Sequence, residues 1–122
     1  MKKIPDAIFR YIEHELYNHK DSKKDLAELQ REKVVETSST YSPEENTLTT
    51  KGILRATRTI RDIEKAKKRL NECELQLFHL KYDRERTWQQ IVIELNISES
   101  TYFRWRKKIV RLVAERMGFL TF

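Results

Sequence analysis

Apolar residues recur at three- and four-residue intervals along most of the chain, the spacing of helices that bury one face. Near the start, Ile4, Ile8, Tyr11, Ile12 and Leu16 share a face of a helix predicted from about Pro5 to Asn18, with Pro5 acceptable in a first turn. A weaker helix is predicted from a cap at Asp21 or Ser22, through Leu26 and Leu29, to about Val34. Together they predict an N-terminal helical hairpin over residues 1–35. Residues 36–50, ETSSTYSPEENTLTT, are polar, rich in Ser and Thr, and contain Pro43. Such a segment buries too little apolar surface to offset its ordering entropy, so a flexible polar linker is expected.

Beyond it, Thr49 or Thr50 is a cap for a long helix whose stripe is Ile53, Ala56, Ile60, Ile63, Leu70 and Leu77. Another face carries Lys51, Arg55, Arg58, Lys65 and Arg69, interrupted by Asp62. That face is either a solvated charged surface or one that meets phosphates or a partner. Two clean heptads would support a homodimer seam, but Lys67 and Glu74 fall where the seam would continue, which argues against a sustained coiled coil.

From Leu75 onward three short helices are predicted. Thr87-x-x-Gln90 fits a capping box, and the helix it opens turns Trp88, Ile91, Val92 and Leu95 inward. Asn96, Ile97 and Ser98 then form a tight joint, where asparagine tolerates the left-handed conformation. Ser98 caps the last helix, which buries Tyr102, Trp105, Ile109 and Leu112 or Val113 and ends at Gly118, with Phe119 placed for a Schellman-type contact. This is the pattern of a helix-turn-helix. Apolar positions interlock two short helices at a fixed angle, and polar residues lead the second one, where bases would be read. Val92 stands where the motif favours alanine. Residues 51–122 are thus read as one DNA-binding unit.

Composition narrows the alternatives. Of 122 residues 36% are charged, and two glycines and two prolines supply too little turn chemistry for a sandwich, a barrel or a parallel sheet, so the fold class is all-α. The net charge of +6 is uneven: residues 36–50 hold no basic and three acidic residues, whereas 84–122 hold eight basic and four acidic. That excess suits attraction to phosphates. On the last helix Arg104, Lys107, Lys108 and Arg111 share a broad face, with Arg106 beside them and Arg84 and Arg86 just ahead of the motif. Trp88 and Trp105 fit base stacking or core packing, and their place on the apolar face favours the core.

Other chemistry is scarce. His14, His19 and His79 are scattered, Cys73 is alone and expected to be a small buried or half-buried residue, and there is no phosphate-cradling glycine loop or nucleophile constellation. No catalytic residue, metal or cofactor is expected, and the chain is not read as an enzyme. No stretch approaches the roughly 20 apolar residues of a membrane span, and MKKIPDAIF lacks a secretory apolar region, so a cytoplasmic location without a membrane partner is expected.

The last ~50 residues, with Thr87-Trp-Gln-Gln-Ile opening one helix and Asn-Ile-Ser-Glu-Ser-Thr opening the next, resemble region 4 of bacterial sigma factors. The resemblance implies that Thr87 contacts phosphate and that Glu99, Ser100, Phe103 and Arg104 face the major groove. With Ser98, Thr101, Lys107, Lys108 and Arg111 these make up the candidate DNA-binding set. Phe103 departs from the usual polar residue; it suits a thymine methyl, partial burial against the preceding helix, or a protein partner. Nothing resembles the promoter-melting region 2. The layout of a helical N-terminal part, a polar middle and a sigma-like C-terminal motif is similar to the RinA/ArpU family of phage-encoded regulators. That similarity implies an activator of late packaging and lysis genes in phages of Gram-positive bacteria, bound to double-stranded DNA and acting with host RNA polymerase. Two alternatives are a ring-forming packaging protein like a terminase small subunit and a sigma-like regulator whose last helix meets polymerase instead of DNA.

Overall fold

The computed structural model describes residues 3–35 and 43–120. Helix α1 (Asp6–Val35) is continuous, which corrects the expected hairpin. No glycine or proline lies between Asn18 and Ser22, and tertiary contacts hold the helix across that stretch. His19 Nε2 lies 2.8 Å from Glu64 Oε1, and Lys23 Nζ donates to the same oxygen at 2.8 Å. Asp21 and Ser22 therefore continue a helix that their residue types allow but do not favour.

Helix α2 (Pro43–Lys67) begins earlier than a cap at Thr49 or Thr50 implies, with Pro43 as its first residue. The expected linker is thus helical from residue 43 on, and residues 36–42 lie outside those described. The long helix expected to reach Leu77 is broken. The amides of Arg69 and Leu70 donate to Ala66 and Lys67 at 3.0 and 3.1 Å, tightening the last turn, and Asn71 is extended (φ −74°, ψ 173°). Asn71 and Glu74 form a reciprocal capping box that starts α3 (Glu72–Phe78), so a local start signal overrides the apolar stripe.

Without a break α3 widens into a π segment (His79–Asp83), closed by Arg84 N donating to His79 O at 3.0 Å. Two short helices follow, α4 (Trp88–Leu95) and α5 (Glu99–Met117). Both begin as the sequence predicts: the Thr87 hydroxyl accepts from Gln90 N at 3.2 Å and the Ser98 hydroxyl from Thr101 N at 3.1 Å. Asn96 is left-handed (φ 54°, ψ 51°). Gly118 is also left-handed (φ 83°), and Phe119 N donates to Ala114 O at 2.9 Å.

The described residues contain five α-helices and no strand, so the all-α class holds, and none of these helices is long and apolar enough to cross a membrane. One core draws on all of them, including Ile12 and Leu16 of α1, Ile63 of α2, Phe78 of α3, Ile91 of α4 and Tyr102, Ile109, Val110 and Val113 of α5. Residues 1–35 and 51–122, expected as separate units, therefore share their interior.

A carboxylate sits inside that packing. Glu13, aligned with Phe9 and Tyr17 along α1, has a side chain only 12% exposed. It accepts from Arg106 Nε of α5 at 2.9 Å and from the Tyr82 hydroxyl of the π segment at 2.8 Å, while Arg106 Nη2 bonds its second oxygen. Lys81 Nζ lies 3.9 Å away, donates to the Tyr17 hydroxyl at 2.9 Å and faces the rings of Tyr17, Tyr82 and Tyr102. Burial pushes the Glu13 carboxyl up, but the bonds from Arg106 and Tyr82 outweigh it and hold the group below its ordinary range. Burial likewise pushes Lys81 down, and its bond to Tyr17 reverses the balance.

Removing one partner of such a pair leaves the other charge buried, so Glu13→Ala is expected to cost about 3 kcal/mol, with Glu13→Gln losing less. Urea unfolding of the two variants checks this, and an unchanged midpoint for Glu13→Ala would contradict it.

Acid sensitivity follows from the α1–α2 contact. Burial raises Glu64, but hydrogen bonds from Lys23 and His19 bring it to about 2. Because Glu64 is ionised, His19 donates through Nε2, leaving Nδ1 a buried acceptor without a partner. Burial lowers the His19 pKa below 6.5 despite Glu64. Both groups bind protons more readily in the unfolded chain, so stability is lost on acidification, first below pH 6.5 through His19 and again as pH falls from 4.5 through about 2 through Glu64. Thermal midpoints measured against pH should show the first decline in the wild type and its absence in His19→Gln.

Candidate functional site

Helix α5 has three kinds of surface. Tyr102, Ile109, Val110, Val113 and Ala114 are buried, a half-buried border includes Trp105 and Arg106, and Ser100, Arg104 and Lys107 are exposed. These three recur at intervals of four and three, which puts them on one strip. The packing of the opposite face fixes the strip's direction.

The residues proposed from sequence divide among several places. Ser98, Glu99 and Ser100 are exposed at the start of α5 and border a shallow hollow with Phe103. The Ser98 hydroxyl also donates to Thr101 Oγ1 at 2.8 Å, so Ser98 and half-buried Thr101 hold each other and the first turn. Phe103 is half-buried, its ring 6.2 Å from Trp88 and 5.1 Å from Tyr102. Partial burial against the preceding helix was one of the three roles open to it. Thr87 is exposed beside Trp88 at the start of α4, where its cap leaves it at the surface.

Trp88 departs from expectation: it is 36% exposed, resting against Phe103 at the edge of the core. In a helix of eight residues one fully covered position, Ile91, is enough to anchor α4. Ile93, which no pattern singled out, is 80% exposed. Cys73 is exposed too, since the break before α3 turns it away from the core.

Lys108 and Arg106 differ from Arg104 and Lys107 in being paired with carboxylates. Lys108 Nζ is 2.8 Å from a carboxylate oxygen of Glu74, a side chain only 3% exposed, which also accepts from Asn71 N at 2.9 Å. It ties α5 to the cap of α3. Arg106 is held by Glu13 and lies over the Phe9 ring, 4.9 Å from its centroid. Arg111 is half-buried and borders, with Arg106 and Lys107, an open cleft of ≈ 500 Å³ against the start of α1. Sequence reasoning missed the α1 side of that cleft, where Lys3 and Arg10 sit. The available signal was Glu13, a carboxylate in register with an apolar stripe that needs a buried cation, although its partner lies 93 residues away.

No group of three or more metal-ligating side chains comes together among the described residues.

Lys108→Ala should lower stability by about 1–2 kcal/mol, because it strips the buried Glu74 carboxylate of its cation while the exposed lysine end limits the loss. Lys107→Ala, one position away, should stay within about 0.5 kcal/mol of the wild type. Denaturant unfolding of the two variants separates a structural lysine from a surface one.

Residues 6–115 match the model of a family described as a protein of unknown function, DUF722, and the chain belongs to that family. No curated protein and no solved structure matches it.

Proposed function

We propose that this DUF722 member is a sequence-specific duplex-DNA-binding regulator of transcription. The observation that carries the reading is the α4–α5 unit. Two helices, each opened by a side-chain cap, are joined through a left-handed asparagine, and Ile97 N closes the joint by donating to Val92 O at 3.1 Å. That build supports reading the pair as a helix-turn-helix, with α5 as the helix that would enter the major groove.

In this reading Arg104 and Ser100 meet base edges, Glu99 accepts from a cytosine amine, and Thr87 and Lys107 hold phosphates to either side. Ser98 and Thr101 present the first turn, and Phe103 offers an edge to a thymine methyl while bracing Trp88. Lys108 keeps α5 in place instead of touching DNA, and Arg111 lies further along the same helix. The resemblance to sigma region 4 and to RinA/ArpU regulators gives the target as a late promoter and host RNA polymerase as a second partner, in the cytoplasm of a bacterial host.

Selection of bound duplexes from a random pool, then titration of the winner and a scrambled control at two salt concentrations, tests the reading. A shared motif with a clear affinity advantage is expected. Arg104→Ala should then lose ~1–3 kcal/mol on the selected duplex and far less on the scrambled one. Equal losses on both would remove base reading by Arg104, and binding without any preference would remove the sequence-specific reading altogether.

A further inference from the structure

We infer that the cleft between the start of α1 and α5 is a second phosphate-binding surface, which grips the DNA backbone beside the site that α5 reads. The inference rests on the duplex-binding reading above and extends it to a part of the chain that lies outside the helix-turn-helix.

The cleft, ≈ 500 Å³ and open to solvent, has an apolar floor that includes Ile4 and Phe9. Around it stand Lys3 and Arg10 from the α1 side and Arg106, Lys107 and Arg111 from α5, against two acids, Asp6 and Glu13. Glu13 is already neutralised by Arg106 and Lys81. Lys3, Arg10 and Lys107 are exposed and make no ion pair among the described residues, so their charge is available to a ligand.

The position of the cleft favours a nucleic-acid backbone over other anions. Lys107 belongs both to the cleft and to the exposed strip that begins at Ser100. Lys107 thus joins the strip to the cleft, and the Glu13–Arg106 pair holds the start of α1 beside α5, so that in this proposal the flanking phosphates of a duplex on the strip meet Lys3 and Arg10.

The test compares two double variants with equal loss of charge. Lys3→Ala with Arg10→Ala empties the cleft's α1 side. Lys24→Ala with Arg31→Ala removes two exposed cations about 20–30 Å further along α1. Binding is titrated over a series of salt concentrations on the selected and scrambled duplexes, and unchanged helicity and thermal midpoint show that each variant is folded. Two lost phosphate contacts should lower the salt slope by about 1–2 and weaken both duplexes alike, by about tenfold, with specificity kept. Shortening the selected duplex to its core motif should cost the wild type affinity and leave the cleft variant nearly unaffected. If the cleft variant behaves like the distal control, the proposal is overturned, and an acidic protein segment becomes the better occupant. If the wild type binds no duplex, the underlying reading fails and this surface falls with it.

Discussion

The fold depends on one carboxylate that is largely withdrawn from bulk water. Glu13 lies along the buried side of α1, and such a group is tolerated only when its charge and lone pairs are met by partners. Arg106, Tyr82 and Lys81 meet them, and these three belong to α5 and to the π segment. Satisfying the carboxylate therefore fixes the distance and rotation of α1 against two other elements at once. The rotation of α5 in turn settles which of its side chains remain outside.

The basic residues of α5 accordingly do different jobs. Arg106 is a half-buried strut to Glu13, Lys108 closes the cap of α3 by pairing with Glu74, and Arg104 and Lys107 remain directed at solvent. Helical spacing alone puts Arg104, Lys107 and Lys108 on one positive face with Arg106 beside it. Formal charge thus overstates what a ligand meets at α5, and the cations of the α1 start restore part of it in a different place.

Features decided within four or five residues were legible in the sequence. The cap at Thr87 with Gln90, the cap at Ser98, the left-handed Asn96 and the stop at Gly118 each rest on a residue's own stereochemistry and its nearest amides, and each is present. Features decided at long range were not. Asp21 and Ser22 look like a helix start, yet Glu64 from α2 holds the neighbouring His19 and Lys23 in a continuous helix. The stripe from Ile53 to Leu77 looks like one helix, yet Asn71 and Glu74 begin a new one and Lys108 secures it. Trp88 looks like core, but α4 is too short to cover it. For the candidate site, spacing marked a polar start to α5 and the resemblance to sigma region 4 named its residues, whereas the pairing of Arg106 with Glu13 and the place of Lys3 and Arg10 required knowing that α1 packs beside α5.

The π segment stores one residue more than a regular helical turn would hold between α3 and the chain's next bend. That residue lets Leu80, Lys81 and Tyr82, three consecutive side chains, all reach the interior. Deleting it would restore regular spacing and swing everything beyond by about 100°, taking Lys81 and Tyr82 away from Tyr17 and Glu13. In an alignment of relatives, a single gap within positions 79–83 would therefore record a different attachment of the first helix, and not the neutral length variation that gaps in connecting segments usually mark.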